Sequence, residues 1–190
     1  MLFETICIQN GAIQHLSLHQ KRLDRSQAAL FENFEPIDLG KILRPPTGTG
    51  TLKCRVLYAE RLIDVTYEPY RPRSVKTLRI VESDLDYGHK FRDRDTIDEL
   101  FAQRGDADEI LIVKKGLVTD TSIANVAFLK EKRWYTPKTP LLHGTTRERL
   151  IRSGFLIPRE IRAEELESFE AFALLNAMIG FQPVKHGKIV

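Results

Sequence analysis

Four sets of side chains in this chain have the types to do chemistry together: Lys90, Arg22, Asp120, and the pair Thr145-Thr146. Asp120 and the threonines share one stretch, residues 109–147, EILIVKKGLVTDTSIANVAFLKEKRWYTPKTPLLHGTTR. Its end, Leu141-Leu142-His143-Gly144-Thr145-Thr146-Arg147, reads as a strand end or loop running into a helix. A helix opened by small and hydroxyl residues presents unpaired backbone N–H groups and the positive end of a dipole. Such a terminus suits an anion, phosphate above all. Asp120 follows a β-type run, where a carboxylate can face a cationic ring nitrogen. Taken singly, each residue has an ordinary explanation. Lys90 would be a surface lysine, Arg22 a snorkelling helix residue, Asp120 a turn acid and the threonines a helix cap.

The elements that must position these groups can be taken in order. Residues 2–8, LFETICI, alternate as a strand, and Asn10-Gly11 is a tight-hairpin dipeptide before a short return strand at about 12–16. Ser17 and Gln20 have the spacing of a capping box. They predict a helix over SLHQKRLDRSQAALFEN, with Leu18, Leu23, Leu30 and Phe31 available for burial and Arg22 near the border of that stripe. A second short helix is expected between Pro36 and Arg44, then a hairpin of 51–58 with 61–68, and a strand over 75–82. Beyond it come a helix over 95–104 stopped by Gly105, and four or five short strands between 109 and 142. A helix over 145–152, a strand near 158–162, a short helix at 163–168, the apolar run AFALLNAM and a last strand at 182–185 complete the chain. Many strands joined as hairpins rather than βαβ units predict an α+β fold with largely antiparallel sheets. A boundary is expected after residue 86, with a smaller N-terminal α+β domain at 1–86 and a larger one, holding residues 109–147, at 87–190.

Composition excludes several classes. The chain has 190 residues, 42% of them apolar and 29% charged, with a net charge of +3. The charges are interspersed, so no basic block suits nucleic acid. No run approaches the roughly 20 apolar residues of a membrane span, and the N-terminus carries no signal-peptide pattern. Cys7 and Cys54 stand far apart with no companion cysteine. This argues against a metal site or disulfide framework, and a reduced, cytoplasmic setting is expected.

Across almost its whole length the sequence resembles the class IV aminotransferases. This pyridoxal-phosphate family includes D-amino-acid and branched-chain aminotransferases and aminodeoxychorismate lyase. Five stretches carry the resemblance: LFETICIQNG, LHQKRLDRS, HKFRDRDTIDEL, ADEILIVKKGLVTDTSIANVAF and TPKTPLLHGTTRERLI, with LLNAMIGFQPV as a looser match. It implies two domains, a small N-terminal α/β sandwich and a larger, mostly antiparallel β domain with helices that binds pyridoxal 5'-phosphate. It also implies a homodimer. Lys90 looks like the catalytic lysine that forms the Schiff base, and Arg22, in His19-x-x-Arg22-Leu23, like the clamp on the cofactor phosphate. Asp120 stands where the family usually has a glutamate contacting the pyridine nitrogen. Asn125 falls with it in the cofactor-binding set. Thr145 and Thr146 match the pair that holds the phosphate, and Leu142 the apolar residue packed on a ring face. Asn176 to Met178 resembles a turn giving further phosphate contacts, with Ala177 where the family often has a hydroxyl.

The chemistry explains why these residue types are wanted. A lysine must be neutral to form an imine. A carboxylate beside the ring nitrogen keeps it protonated, so that the ring accepts electrons from a carbanion. A helix terminus and an arginine fork suit a phosphate anchor. The chain also departs from the family. It starts where the family has a leading segment, so the smaller domain is expected to be truncated at its start. Phe3 occupies a position that some members fill with tyrosine, and Asp95 stands five residues beyond Lys90, also where some have tyrosine. Arg55, Tyr58, His89 and Arg92 are the cations and phenol to test for substrate-carboxylate binding. The expected activity is an aminotransferase moving an amino group between an amino acid and a 2-oxo acid. The alternatives are an aminodeoxychorismate lyase-type elimination releasing pyruvate, and an inactive relative that only binds the cofactor.

Overall fold

The computed structural model describes residues 1–190 and divides into two compact units. One comprises Met1–Pro72 with His89–Asp93; the other comprises Arg73–Gly88 with Arg94–Val190. The chain therefore passes between them three times, and the boundary expected after residue 86 falls inside a segment that packs with the second unit.

The first unit is built on β1 (Leu2–Gln9), which pairs antiparallel with β2 (Ala12–Ile13) and β3 (Thr51–Tyr58). β3 pairs in turn with β4 (Leu62–Pro69), giving the order β2-β1-β3-β4. The turn at Asn10-Gly11 has both residues at positive φ, 50° and 79°, the twist a two-residue hairpin needs. Helix α1 (Leu16–Leu30) covers one face. Leu2, Ile6 and Ile8 of β1 join Cys54, Val56 and Tyr58 of β3 and Leu23 of α1 in a core closed by α2 (Leu39–Ile42).

Helix α1 differs from expectation at its start and on its buried face. It enters through His15 in the left-handed region with no side-chain cap, so the Ser17–Gln20 capping box does not form. Gln20 is used elsewhere: its amide donates to Ile37 O at 2.7 Å and accepts from Leu39 N at 2.8 Å, which ties α1 to α2. The buried face is His19, Arg22, Leu23, Ser26 and Gln27, while Leu30 is exposed. Three to four residues separate these positions, as one helical stripe requires, but most of the stripe is polar.

The second unit carries the strand order β10-β9-β8-β7-β6-β5-β13, with β11 and β12 branching from β8. Its strands are β5 (Thr77–Glu82), β6 (Glu109–Lys114), β7 (Leu117–Thr121), β8 (Asn125–Lys130), β9 (Arg133–Pro137), β10 (Leu156–Arg159), β11 (Ala171–Asn176), β12 (Gly180–Val184) and β13 (Lys188–Ile189). Strand β6 is buried along nearly all of its length, as its unbroken Ile110–Val113 run predicts. Most pairings are antiparallel, and the molecule is α+β. The expectation of hairpins without βαβ units is corrected in two places. β5 and β6 run parallel around α3 (Asp95–Ala102), and β9 and β10 run parallel around α4 (Thr145–Arg152). The second crossover matters most, because it sets the N-terminus of α4 beyond the carboxyl end of β9, the usual place for a ligand in a βαβ unit.

Candidate active site

In the first unit the chemistry gathers at the start of β1. Glu4 is fully buried on the α1 side of the sheet. Arg22 donates to it along one edge, Nε to Oε1 at 2.7 Å and Nη2 to Oε2 at 2.6 Å, and His19 Nδ1 lies 2.6 Å from Oε2. Burial alone would raise the Glu4 carboxyl, but the Arg22 charge and the His19 and Arg22 hydrogen bonds outweigh it and bring its pKa down to about 2. Glu4 is therefore an anion, and it fixes the plane in which Arg22 presents its fork. Ser26, one turn on, lies 3.2 Å from His89 Nδ1 through its hydroxyl.

Residues 89–92 run beside the free edge of β1. Phe3 N donates to Lys90 O at 2.9 Å, Arg92 N to Met1 O at 3.1 Å, and Leu2 bridges Phe91. This places the Lys90 amine 4.5 Å from the centroid of the Phe3 ring. Phe3 and Glu4 are neighbours on a strand and point to opposite faces, so β1 holds Lys90 over one face and Arg22 against the other. Tyr58 is buried in the α1-side core and His89 is turned toward Ser26; neither joins Arg55 and Arg92.

In the second unit Asp120, Asn125 and Leu142 are joined by hydrogen bonds, Thr145 and Thr146 follow on the same loop, and Asn176 is bonded to the turn between β7 and β8. Asp120, at the end of β7, is 4% exposed. Its Oδ1 accepts from Asn125 Nδ2 at 2.7 Å and its Oδ2 from Leu142 N at 2.9 Å. The same Asn125 amide donates to Leu142 O at 2.8 Å, so the loop before α4 is stitched to the β7–β8 turn through backbone atoms. Two neutral donors do not offset the loss of water. Burial pushes the Asp120 carboxyl up to about 7 against the Leu142, Asn125 and Arg147 contributions.

Gly144 caps α4 without a side chain at φ −71°, an unstrained value, so the glycine is required by space rather than by conformation. A Cβ there would stand 2.0 Å from Asn125 Oδ1. Thr145 and Thr146 open the helix and are buried. The Asn176 side chain is spent on its own turn, accepting from Met178 N at 2.9 Å and Ile179 N at 3.0 Å and donating to Ile123 O at 3.2 Å. That last bond ties the turn after β11 to the loop between Asp120 and Asn125.

Two features escaped sequence reasoning. Glu4 was hidden in a strand that reads as apolar. The available signal was an acid at an inward strand position with His19 and Arg22 one helical turn apart. The other is Arg147, 6% exposed in the first turn of α4, donating to Pro137 O at 2.7 Å, with its Nε lacking a partner. A buried cation opposes the dipole at a helix N-terminus, so an arginine there marks a place that receives negative charge.

Within the second unit, a buried acid with no cation bonded to it lies beside a helix start that no side chain caps, an arrangement that suits an anionic cofactor with a basic ring. The comparisons agree. The sequence pattern described as Amino-transferase class IV matches residues 1–186. An uncharacterized protein of Haemophilus influenzae is 40% identical over 184 residues, covering 94% of this chain and 98% of that one. A crystal structure from Haemophilus somnus 129PT, provisionally assigned as a 4-amino-4-deoxychorismate lyase, superposes with a TM-score of 0.85 at 35% identity over 94% of this chain and 96% of that one. Another from Mesorhizobium loti, provisionally assigned as an amino-acid aminotransferase, gives 0.84 at 25% identity over 100% and 99%. The chain belongs to the class IV aminotransferase family, whose members are pyridoxal-phosphate enzymes.

Proposed function

We propose that this protein is a pyridoxal-phosphate-dependent aminotransferase that moves an amino group between an amino acid and a 2-oxo acid. The observation that carries the reading is Asp120: buried, held by Asn125 and Leu142, and pushed up to about 7 by a burial that its neutral donors and the Arg147 charge do not offset. A protonated ring nitrogen is the partner it lacks, so the residues present fit the group. Asp120 would hold that nitrogen and Leu142 would pack on the ring, with Asn125 holding both in place. The α4 terminus at Thr145-Thr146 would take the phosphate with Arg22, and the backbone of the Asn176 turn would add to it. When bound, the cofactor supplies an electron sink for the substrate's α-carbon. Lys90 would hold the group covalently through its amine and would carry a proton at its Nζ to and from the substrate's α-carbon.

The lyase reading has its own support, the 35% identical structure provisionally assigned to that activity. The same Lys90 would abstract the α-proton and pyruvate would leave. We also infer a homodimer and, from the unpaired buried cysteines Cys7 and Cys54, a reducing cytoplasmic setting. No helix is long and apolar enough to cross a membrane.

One experiment tests the core of this. Purified protein mixed with pyridoxal phosphate should sediment as a dimer and gain a visible absorption band that Lys90→Ala abolishes. A panel of amino acids should then discharge the band with release of 2-oxo acids, whereas pyruvate from aminodeoxychorismate would select the lyase. A protein that takes up no cofactor refutes the reading.

A further inference from the structure

The face of the first unit's sheet opposite α1 carries a second set of groups. The register sets Phe3 opposite Leu57 and Leu57 opposite Asp64, and Arg55 opposite Thr66, so these five share that face. In the 89–92 segment, Phe91 bridges Leu2 and packs with the α1-side core. Its neighbours Lys90 and Arg92 therefore turn to the Phe3 side. The result is a pocket of about 180 Å³ lined by Phe3, Arg55, Leu57, Asp64, Thr66 and Arg92. The Arg55 guanidinium lies 4.6 Å from the centroid of the Phe3 ring, and the Lys90 amine lies 4.5 Å from the same centroid. One aromatic ring thus sets the reactive amine and a guanidinium within the span of a single small molecule.

We propose that Arg55 and Arg92 bind a carboxylate of the substrate, so that the enzyme takes amino acids bearing a second acidic group. The proposal rests on the reading of Lys90 as the reactive amine. The pocket is smaller than a whole-ligand cavity and suits the far end of a substrate. Phe3 and Leu57 meet its carbon skeleton, the two guanidinium groups meet the carboxylate, and Thr66 offers a hydroxyl. Two cations against Asp64 leave the lining net positive. Asp64 then acts as a brake on anion affinity and as an acceptor for a hydroxyl or amine on the skeleton. Stacking on Phe3 orders the Arg55 head before ligand arrives, which lowers the entropy cost of binding.

The test is calorimetric titration of succinate and of butyrate into cofactor-free and pyridoxal-phosphate-loaded protein. Succinate should bind at least tenfold tighter than butyrate. Arg55→Gln and Arg92→Gln should each weaken succinate by about tenfold or more, the loss of one charge-assisted pair. Arg55→Lys should recover part of that loss, and Asp64→Asn should strengthen binding. All three positions are solvent-exposed, and circular dichroism would check that the four variants fold. Equal affinity for the two acids, or succinate binding indifferent to both arginines, overturns the proposal. Arginine-dependent succinate binding by a protein that takes up no cofactor would leave this subsite standing and remove the cofactor reading instead.

Discussion

The sharpest consequence of the site is a pH dependence that Asp120→Asn should erase from the cofactor-free protein. Burial raises the Asp120 carboxyl from 3.8 to about 7. At low pH both folded and unfolded chains carry the proton, and nothing is lost. Between these values the unfolded chain releases it while the folded chain keeps it. The folded state then binds more protons, so stability falls as pH rises, and the loss is complete once pH passes 7. Each unit is worth about 1.4 kcal/mol, so the full window corresponds to about 4 kcal/mol. Relaxation around the carboxylate and entering water trim this, and from pH 5 to 8 we expect a fall of about 2–3 kcal/mol. Asparagine has no proton to lose, but its amide must set an NH₂ against either Asn125 Nδ2 or Leu142 N, which costs about 1 kcal/mol at every pH. The assay is urea unfolding of both proteins at pH intervals across that range, read as the difference in slope. Histidine titrations are common to both and cancel. Saturating pyridoxal phosphate should flatten the wild-type slope and leave Asp120→Asn nearly unchanged, while weakening its cofactor uptake. A difference curve that stays level from pH 5 to 8 would refute the account of Asp120.

Two further substitutions probe the supports. Gly144→Ala should destabilise by about 1–3 kcal/mol in thermal or urea unfolding, because its Cβ meets Asn125 Oδ1 at 2.0 Å. Adding Asn125→Ala should restore part of the loss in a double-mutant cycle, and strict additivity would argue against the clash. Glu4→Gln should cost about 3–5 kcal/mol at neutral pH by stranding Arg22 without its counter-charge. Its pKa is lowered from 4.5 to about 2, so the native contribution is full above 4.5 and fades as pH falls toward 2. The two proteins should converge only at that acidic end, and a constant gap down to pH 2 would reject the assignment.

How much of this was legible in the sequence depended on how local the cause was. The Asn10-Gly11 turn, the Thr145–Arg152 helix with its Gly154 stop, and the Ala163–Ser168 helical turn (a 3-10 helix) follow from neighbouring residues, and their bounds were readable. The parallel pairings of β5 with β6 and β9 with β10 were not. Pairing direction is set by where the strands meet, and no residue within either strand encodes it. The buried face of α1 was misread for a related reason. Periodicity finds apolar stripes, whereas His19, Arg22 and Ser26 are buried by partners on β1 and at residue 89. Gln20 failed as a capping residue because bonds to Ile37 and Leu39 compete for the same amide. Arg147 lay in plain view at the helix start, but only its burial shows that it is more than a surface charge.

Three buried carboxylates in this chain show why Asp120 is the one we propose for the cofactor. Glu4 has the forked Arg22 and falls to about 2. Glu109 is ion-paired with Arg73 and also accepts from Ile110 N. Both are internally satisfied, and adding a cation to either would displace a partner already in place. Asp120 receives neutral donors, an amide from Asn125 and a backbone N–H from Leu142, and the cation that acts on it, Arg147, is bonded to the carbonyl of Pro137 instead. A buried carboxyl left at about 7 is costly in an empty protein and becomes favourable when a positive charge arrives. A protonated pyridine nitrogen delivers that charge without a metal ligand set and without a mobile side chain. The same balance predicts the direction of proton traffic: below pH 7 the arriving nitrogen inherits a site where the carboxyl has to give up its proton. Cofactor affinity should therefore rise with pH up to about 7 and level off above it.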